Sequence, residues 1–180
     1  MGSSADRKKA LLRGELVHRL LQALPDIPQE HRAEAAQRYL AREDGTFTVG
    51  ERDAIAAQVG RILDDPRFRE LFAPGSRAEV PIVGRLSHKG RMYAVSGQVD
   101  RLVVTDGAVM IADYKTNHPA PRQPEDAWQY VTQLALYRAV LAKLYPGRDI
   151  RAALVWTQVP DLMTLSASVL DQAMADFTPA

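Results

Sequence analysis

Leucines recur every four residues near the start of the chain, at positions 12, 16, 20 and 24, with Val17 and Leu21 beside them. That is the apolar stripe of an amphipathic helix, and it predicts one over about residues 7–24. Pro25 and Pro28 end it. The same periodicity predicts helices over 29–41 and 51–64, and Pro66 opens a short one through Phe72. The pattern then changes. Residues 78–83 read as a strand, 84–90 as a polar and basic loop, and 92–104 as a long strand. Asp106-Gly107 is a two-residue hairpin signal. The following segment, 108–116, is apolar on both faces until it meets charge, as expected of a strand central in its sheet. A connection rich in proline (Pro119, Pro121, Pro124) leads to a helix over about 125–145, ended by Pro146-Gly147. Strands over 150–157 and 162–166 and a helix over 168–177 complete the order. The succession predicts an α/β or α+β protein with a mixed central sheet flanked by helices. A helical extension occupies residues 1–75 and the sheet-bearing core residues 76–180, the two forming one domain.

Composition narrows the chemistry. The net charge is +1 and the pI about 8.0, so any nucleic acid must be held by local patches or with the help of a partner. There are no cysteines, which excludes disulfides, zinc–thiolate sites and iron–sulfur clusters. No apolar run reaches the ~18 residues of a membrane span and no signal peptide is visible, so a cytoplasmic location is the expectation. Met1-Gly2-Ser3-Ser4 resembles a remnant of an expression vector and carries no fold signal.

The hairpin brings chemistry together. A two-residue loop at Asp106-Gly107 pairs Thr105 with Ala108 and, counted back along both strands, sets Asp100 opposite Asp113. Cross-strand Cβ atoms lie roughly 4.5–5.5 Å apart. Lys115, two residues on, shares the face of Asp113. Two carboxylates so placed repel, and in a partly buried site one must take a proton unless a cation intervenes. Oxygen ligands favour Mg²⁺ or Mn²⁺. Two readings stay open on geometry alone: a metal site, or a structural triad in which Lys115 neutralises the pair.

The residues around this hairpin form a recognisable set. Gly97-Gln98-Val99-Asp100-Arg101-Leu102 and Ile111-Ala112-Asp113-Tyr114-Lys115-Thr116 resemble the G-x-x-D-R-h and h-x-D-Y-K-T motifs of RecB-like nucleases of the PD-(D/E)xK type. Arg13-Gly14-Glu15-Leu16-Val17-His18 is similar to that family's R-G-x-x-x-H motif, and Gln133-Leu134-Ala135-Leu136-Tyr137 to its Q-x-x-x-Y motif. The nearest flavour is that of the C-terminal nuclease domain of AddA helicase-nucleases. The resemblance implies a restriction-endonuclease-like core and Mg²⁺-dependent cleavage of DNA, by exo- or endonuclease action, in double-strand break repair and recombination. It also implies a helicase motor, fused upstream or supplied with an AddB-type partner, since the chain has no Walker A pattern of its own. Asp100 and Asp113 would be catalytic metal ligands, His18 a further ligand, and Lys115 the contact to the attacking water or scissile phosphate. Glu79, Gln133 and Tyr137 would support the site. Some relatives clamp this domain with an iron–sulfur cluster, which a chain without cysteine cannot do. A stand-alone defence nuclease and a catalytically silent DNA-binding module of the same fold are the alternatives.

Several residues have plain structural readings beside these. His18 lies at the edge of its helix's apolar stripe, and Gly14 one turn earlier frees space beside it. Gln133 and Tyr137 are i, i+4 neighbours, suited equally to a core edge. Glu79 is a candidate partner of Arg101 or Lys115. Arg101 is expected on the sheet face opposite Asp100 and in a structural role. Arg85, His88, Lys89 and Arg91 form a basic stretch that could meet phosphates.

Overall fold

The computed structural model describes residues 4–43, 45–116 and 119–178. Three helices come first, α1 (Ser4–Ala23), α2 (Gln29–Leu40) and α3 (Val49–Asp64), then a 3₁₀ segment, Pro66–Phe72. Thr48 caps α3 through a reciprocal box with Glu51. Strands β1 (Arg77–His88), β2 (Arg91–Val104) and β3 (Ala108–Lys115) follow. Helix α4 (Trp128–Leu144) crosses to β4 (Asp149–Trp156), and β5 (Asp161–Leu165) and α5 (Ala167–Asp176) close the fold.

The five strands form one mixed sheet in sequential order. Only β3 and β4 are parallel, as the α4 crossover between them requires. Each sheet face has its own core. On one side Ile82, Val99, Ile111, Leu154 and Trp156 pack under α4 and α5 through Val131, Leu134, Val140 and Leu170. On the other, Val103, Met110, Tyr114, Ala153 and Val155 meet Leu16, Leu20, Leu21, Ile55, Val59 and Phe68 from the N-terminal helices. Strand β3, covered on both faces, is buried at every position but its ends.

One expected loop is absent. Residues 84–88 continue β1, and the chain reverses at Lys89-Gly90 with φ of 47° and 73°. Positive φ at both central residues is the geometry of a tight primed hairpin. The polar and basic character of 84–90 suggests a loop in the sequence. Gly84 instead serves packing, since a Cβ there would lie 2.7 Å from Val140 Cγ1. Among the described residues no helix is long and apolar enough to cross a membrane.

Candidate active site

The site is built where the sheet loses its regularity. Strands β1 and β2 pair in one register on both sides of Glu79 and Asp100, Ala78 with Arg101 and Val80 with Val99, but the Glu79–Asp100 step carries no ladder pair. Glu79 has a φ of 53°, a left-handed conformation that costs a non-glycine residue energy and collects at functional sites. Alternation breaks at the same level. Val99 and Leu102, three residues apart, lie in the α4-side core, whereas Arg101 and Val103 face the other. The ladder between β2 and β3 also stops there, at Arg101 opposite Ala112.

This modifies the expectation that Asp100 and Asp113 form a ladder pair. The turn register runs as anticipated from Val104–Val109 to Arg101–Ala112, and Thr105 N donates to Ala108 O at 2.9 Å. One step further, Asp100 Oδ2 takes the place of a backbone acceptor for Tyr114 N. The carboxylate thereby satisfies an amide that the parting strands would otherwise leave unpaired. The two carboxyl groups remain neighbours. Burial, then the Asp100 charge, push the Asp113 carboxyl up to about 6, against the pull of Lys115. The Lys115 ammonium abuts Asp113 Oδ2, an otherwise sealed oxygen without a hydrogen bond of good geometry.

Helix α1 delivers His18 to the same place, its Nδ1 3.5 Å from Asp100 Oδ1. Burial opposes charging of this imidazole, but the hydrogen bond and charge of Asp100, with Asp113 and Glu79, outweigh it and raise its pKa. The His18 ring stands edge-on to Tyr114, with centroids 5.5 Å apart. Gly14 lets the helix approach, since a Cβ there would come within 3.2 Å of Thr116 Cγ2. His18, Glu79, Asp100, Gly14 and Thr116 line a cleft of about 440 Å³. A larger groove of about 1120 Å³ between α2 and α3 holds Asp53, Asp64, Arg32 and Arg61 on its walls and none of these residues.

The remaining expected residues fall in three places. Glu79 is in the cleft, its pKa raised by burial and then by Asp100, and it accepts from Gln98 Nε2 rather than pairing with Arg101 or Lys115. Gln133 and Tyr137 lie together on α4, joined by a 2.9 Å bond from Gln133 Nε2 to Tyr137 Oη. Tyr137 rests on Gly97, where a Cβ would stand 1.9 Å from its hydroxyl. Arg85, Lys89 and Arg91 are not gathered here. They sit on the β1–β2 hairpin, 6 and 10 residues beyond Glu79 for Arg85 and Lys89, which is roughly 20 and 33 Å along a strand. Arg101 is structural, as expected. It is buried, gives Nη2 to Leu21 O at 2.7 Å, and lies 5.1 Å from the Phe72 ring centroid.

Two features escaped the sequence reading. A partly buried relay joins α1 to the end of β3: Arg13 Nη2 donates to Gln58 Oε1 at 2.7 Å, Gln58 Nε2 to Thr157 O at 2.7 Å, and Thr157 N to Lys115 O at 2.9 Å. Gln58 lies beside Ile55, Val59 and Ile62 in the buried part of α3, and a polar residue among apolar ones was the available signal. The second is Tyr130, whose ring centroid lies 4.3 Å from Lys115 Nζ. It precedes Gln133 by three residues, on the same helix face.

A mixed sheet covered by helices, with Asp-x-Lys at the end of its central strand and a second aspartate on the neighbouring strand, defines a nuclease-like core. The chain belongs to the PD-(D/E)XK nuclease superfamily, whose family model matches residues 3–176. No curated protein matches it. Among solved structures, that of SSO0001 aligns with 98% of this chain and 86% of its own, at 13% identity and a TM-score of 0.36. So slight a likeness adds nothing to the argument.

Proposed function

We propose that the chain is a metal-dependent deoxyribonuclease domain hydrolysing phosphodiester bonds, with Mg²⁺ as the working ion. The observation that supports it most is the convergence of Asp100, Asp113, Lys115 and His18 at the irregular end of the sheet. The donor set fits a hard divalent cation. Asp113 offers a buried oxygen short of directed hydrogen bonds, Asp100 and Glu79 face the adjoining cleft, and His18 adds one nitrogen. Among the described residues no three such donors already enclose an ion's position. His18, Asp100 and Asp113 would hold it. A bound cation would polarise the phosphoryl group and lower the pKa of a water.

The protein's own groups do the rest. Lys115 sets a compact positive charge where negative charge develops on the phosphate. Asp100, tied to Tyr114 N, holds His18 in place. Glu79 extends the acidic wall, and Gln133 with Tyr137 braces α4 on β2 through Gly97. The motif set supports a further reading, a place in double-strand break repair within an AddAB- or RecBCD-type helicase-nuclease, with the motor upstream or on a partner subunit. The modest net charge of +1 fits a domain handed its DNA by such a motor.

The test is cleavage of end-labelled single- and double-stranded DNA with Mg²⁺, with EDTA, and with Lys115→Ala. Metal-dependent cleavage that falls on the order of a hundredfold in the variant is expected. An equally active Lys115→Ala protein refutes the assignment.

A further inference from the structure

Within that reading, we propose that Tyr130 is a positioning residue for Lys115, its ring holding the ammonium in line while Asp113 is drawn to other work. Among the described residues, Lys115 Nζ meets the Asp113 carboxylate and the Tyr130 ring, the latter 4.3 Å from its charge. An ammonium over an aromatic face is attracted by the ring's quadrupole, most strongly where water is scarce, and the Lys115 side chain is only 17% exposed.

The two neighbours are not equivalent. A carboxylate that ligates a cation has less charge to offer an ammonium. An aromatic face is not a ligand for such a cation, so the quadrupole that meets the ammonium is not drawn away by it. Its ring is also held firmly. It belongs to the first turn of α4 and leans on Trp156, with centroids 6.3 Å apart and planes 57° apart. Trp156 is fully buried and pairs with Lys115 across the β3–β4 ladder. The strand that carries the lysine therefore also sets the support for the ring that steadies it. A flexible four-carbon stem, free to sweep several rotamers, is confined at its far end by a rigid surface.

Tyr130→Phe keeps the ring and Tyr130→Leu removes it, and Tyr130→Met is a second ring-free variant should Leu pack badly. Two readouts decide. In the metal-free full chain, the ε-methylene protons of Lys115, assigned by their loss in Lys115→Arg, should be shifted upfield by the ring current. Tyr130→Phe should retain that shift, and Leu and Met should lose it. In single-turnover cleavage, Phe should act like the parent protein, while Leu and Met lose about 2- to 30-fold in rate, with the apparent dissociation constant for DNA and the melting temperature little changed. An unshifted Lys115 signal in the parent protein overturns the proposal, as does a Phe variant as slow as the Leu one, or ring-free variants at full rate. If the parent protein neither cleaves DNA nor binds Mg²⁺, the functional reading fails, while the presence or loss of the proton shift across the variants still decides the placement of Lys115.

Discussion

Asp113 is the position where stability and chemistry should pull apart. Its carboxyl is buried beside Asp100, and its pKa stands at about 6 against an ordinary 3.8. Between those two values the folded chain keeps a proton that the unfolded chain has already released. Stability therefore falls as pH rises through that window. Above it, the ionised group costs the fold up to roughly 3 kcal/mol, the free-energy equivalent of the interval. Asparagine at 113 mimics the protonated acid and leaves an oxygen for Lys115. Asp113→Asn should thus stabilise the metal-free protein by about 2–3 kcal/mol at pH 7.5, raising its melting temperature by about 4–12 °C for a chain of this length. At pH 4 the gap should shrink to under about 1 kcal/mol, because the folded parent then carries a neutral group and the unfolded one is only about half ionised. Millimolar Mg²⁺ should stabilise the parent protein and not the variant, and the variant should not cleave DNA. Differential scanning fluorimetry across pH 4–8, with EDTA or Mg²⁺, makes the comparison. A variant no more stable than its parent at pH 7.5, or a gain that does not shrink as pH falls, would refute the electrostatic account.

Two further outcomes follow from packing. Gly97→Ala places a methyl 1.9 Å from Tyr137 Oη and 2.6 Å from its Cζ, overpacking that should cost about 1–3 kcal/mol. Adding Tyr137→Leu should recover part of the loss, so that urea unfolding of the single and double variants shows strong non-additivity. Arg101→Ala strips Leu21 O of its donor and opens a cavity against Phe72. It should lower stability by about 2–4 kcal/mol, read by urea unfolding, while cleavage at low temperature persists.

Much of this was legible because local signals agreed with the global answer. The leucine stripe of α1, the Asp106-Gly107 turn and the two-sided apolar run of β3 each depend on neighbours close in sequence, and each appears where periodicity places it. The approximate meeting of Asp100 with Asp113 and Lys115 followed from turn length alone. The departure from regular pairing at Glu79 and Asp100 did not. A left-handed glutamate and a strand that switches faces have no pattern in a single sequence, and the partners that Asp100 finds at that step, His18 and Tyr114, lie remote along the chain. The last residues of β1, 84–88, differ from expectation for a related reason. The polar run from 84 reads as a loop until Val140, 56 positions after Gly84, is seen to pack against the strand there. Gln58 and Tyr130 stayed hidden likewise, since their partners Thr157 and Lys115 lie 99 and 15 residues away.

The glycines of the four short motifs have a bearing on chimeras. Gly14 is pressed against Thr116 and Gly97 against Tyr137, so the helix bearing His18 is matched in size to the residue after Lys115, and β2 is matched to α4. The motifs are therefore exchangeable only as couples. Grafting a first helix without glycine at 14, or a β2 without glycine at 97, would drive a side chain into Thr116 or into Tyr137. Segments swapped as matched pairs, 14 with 116 and 97 with 137, should reassemble even where each swapped alone does not.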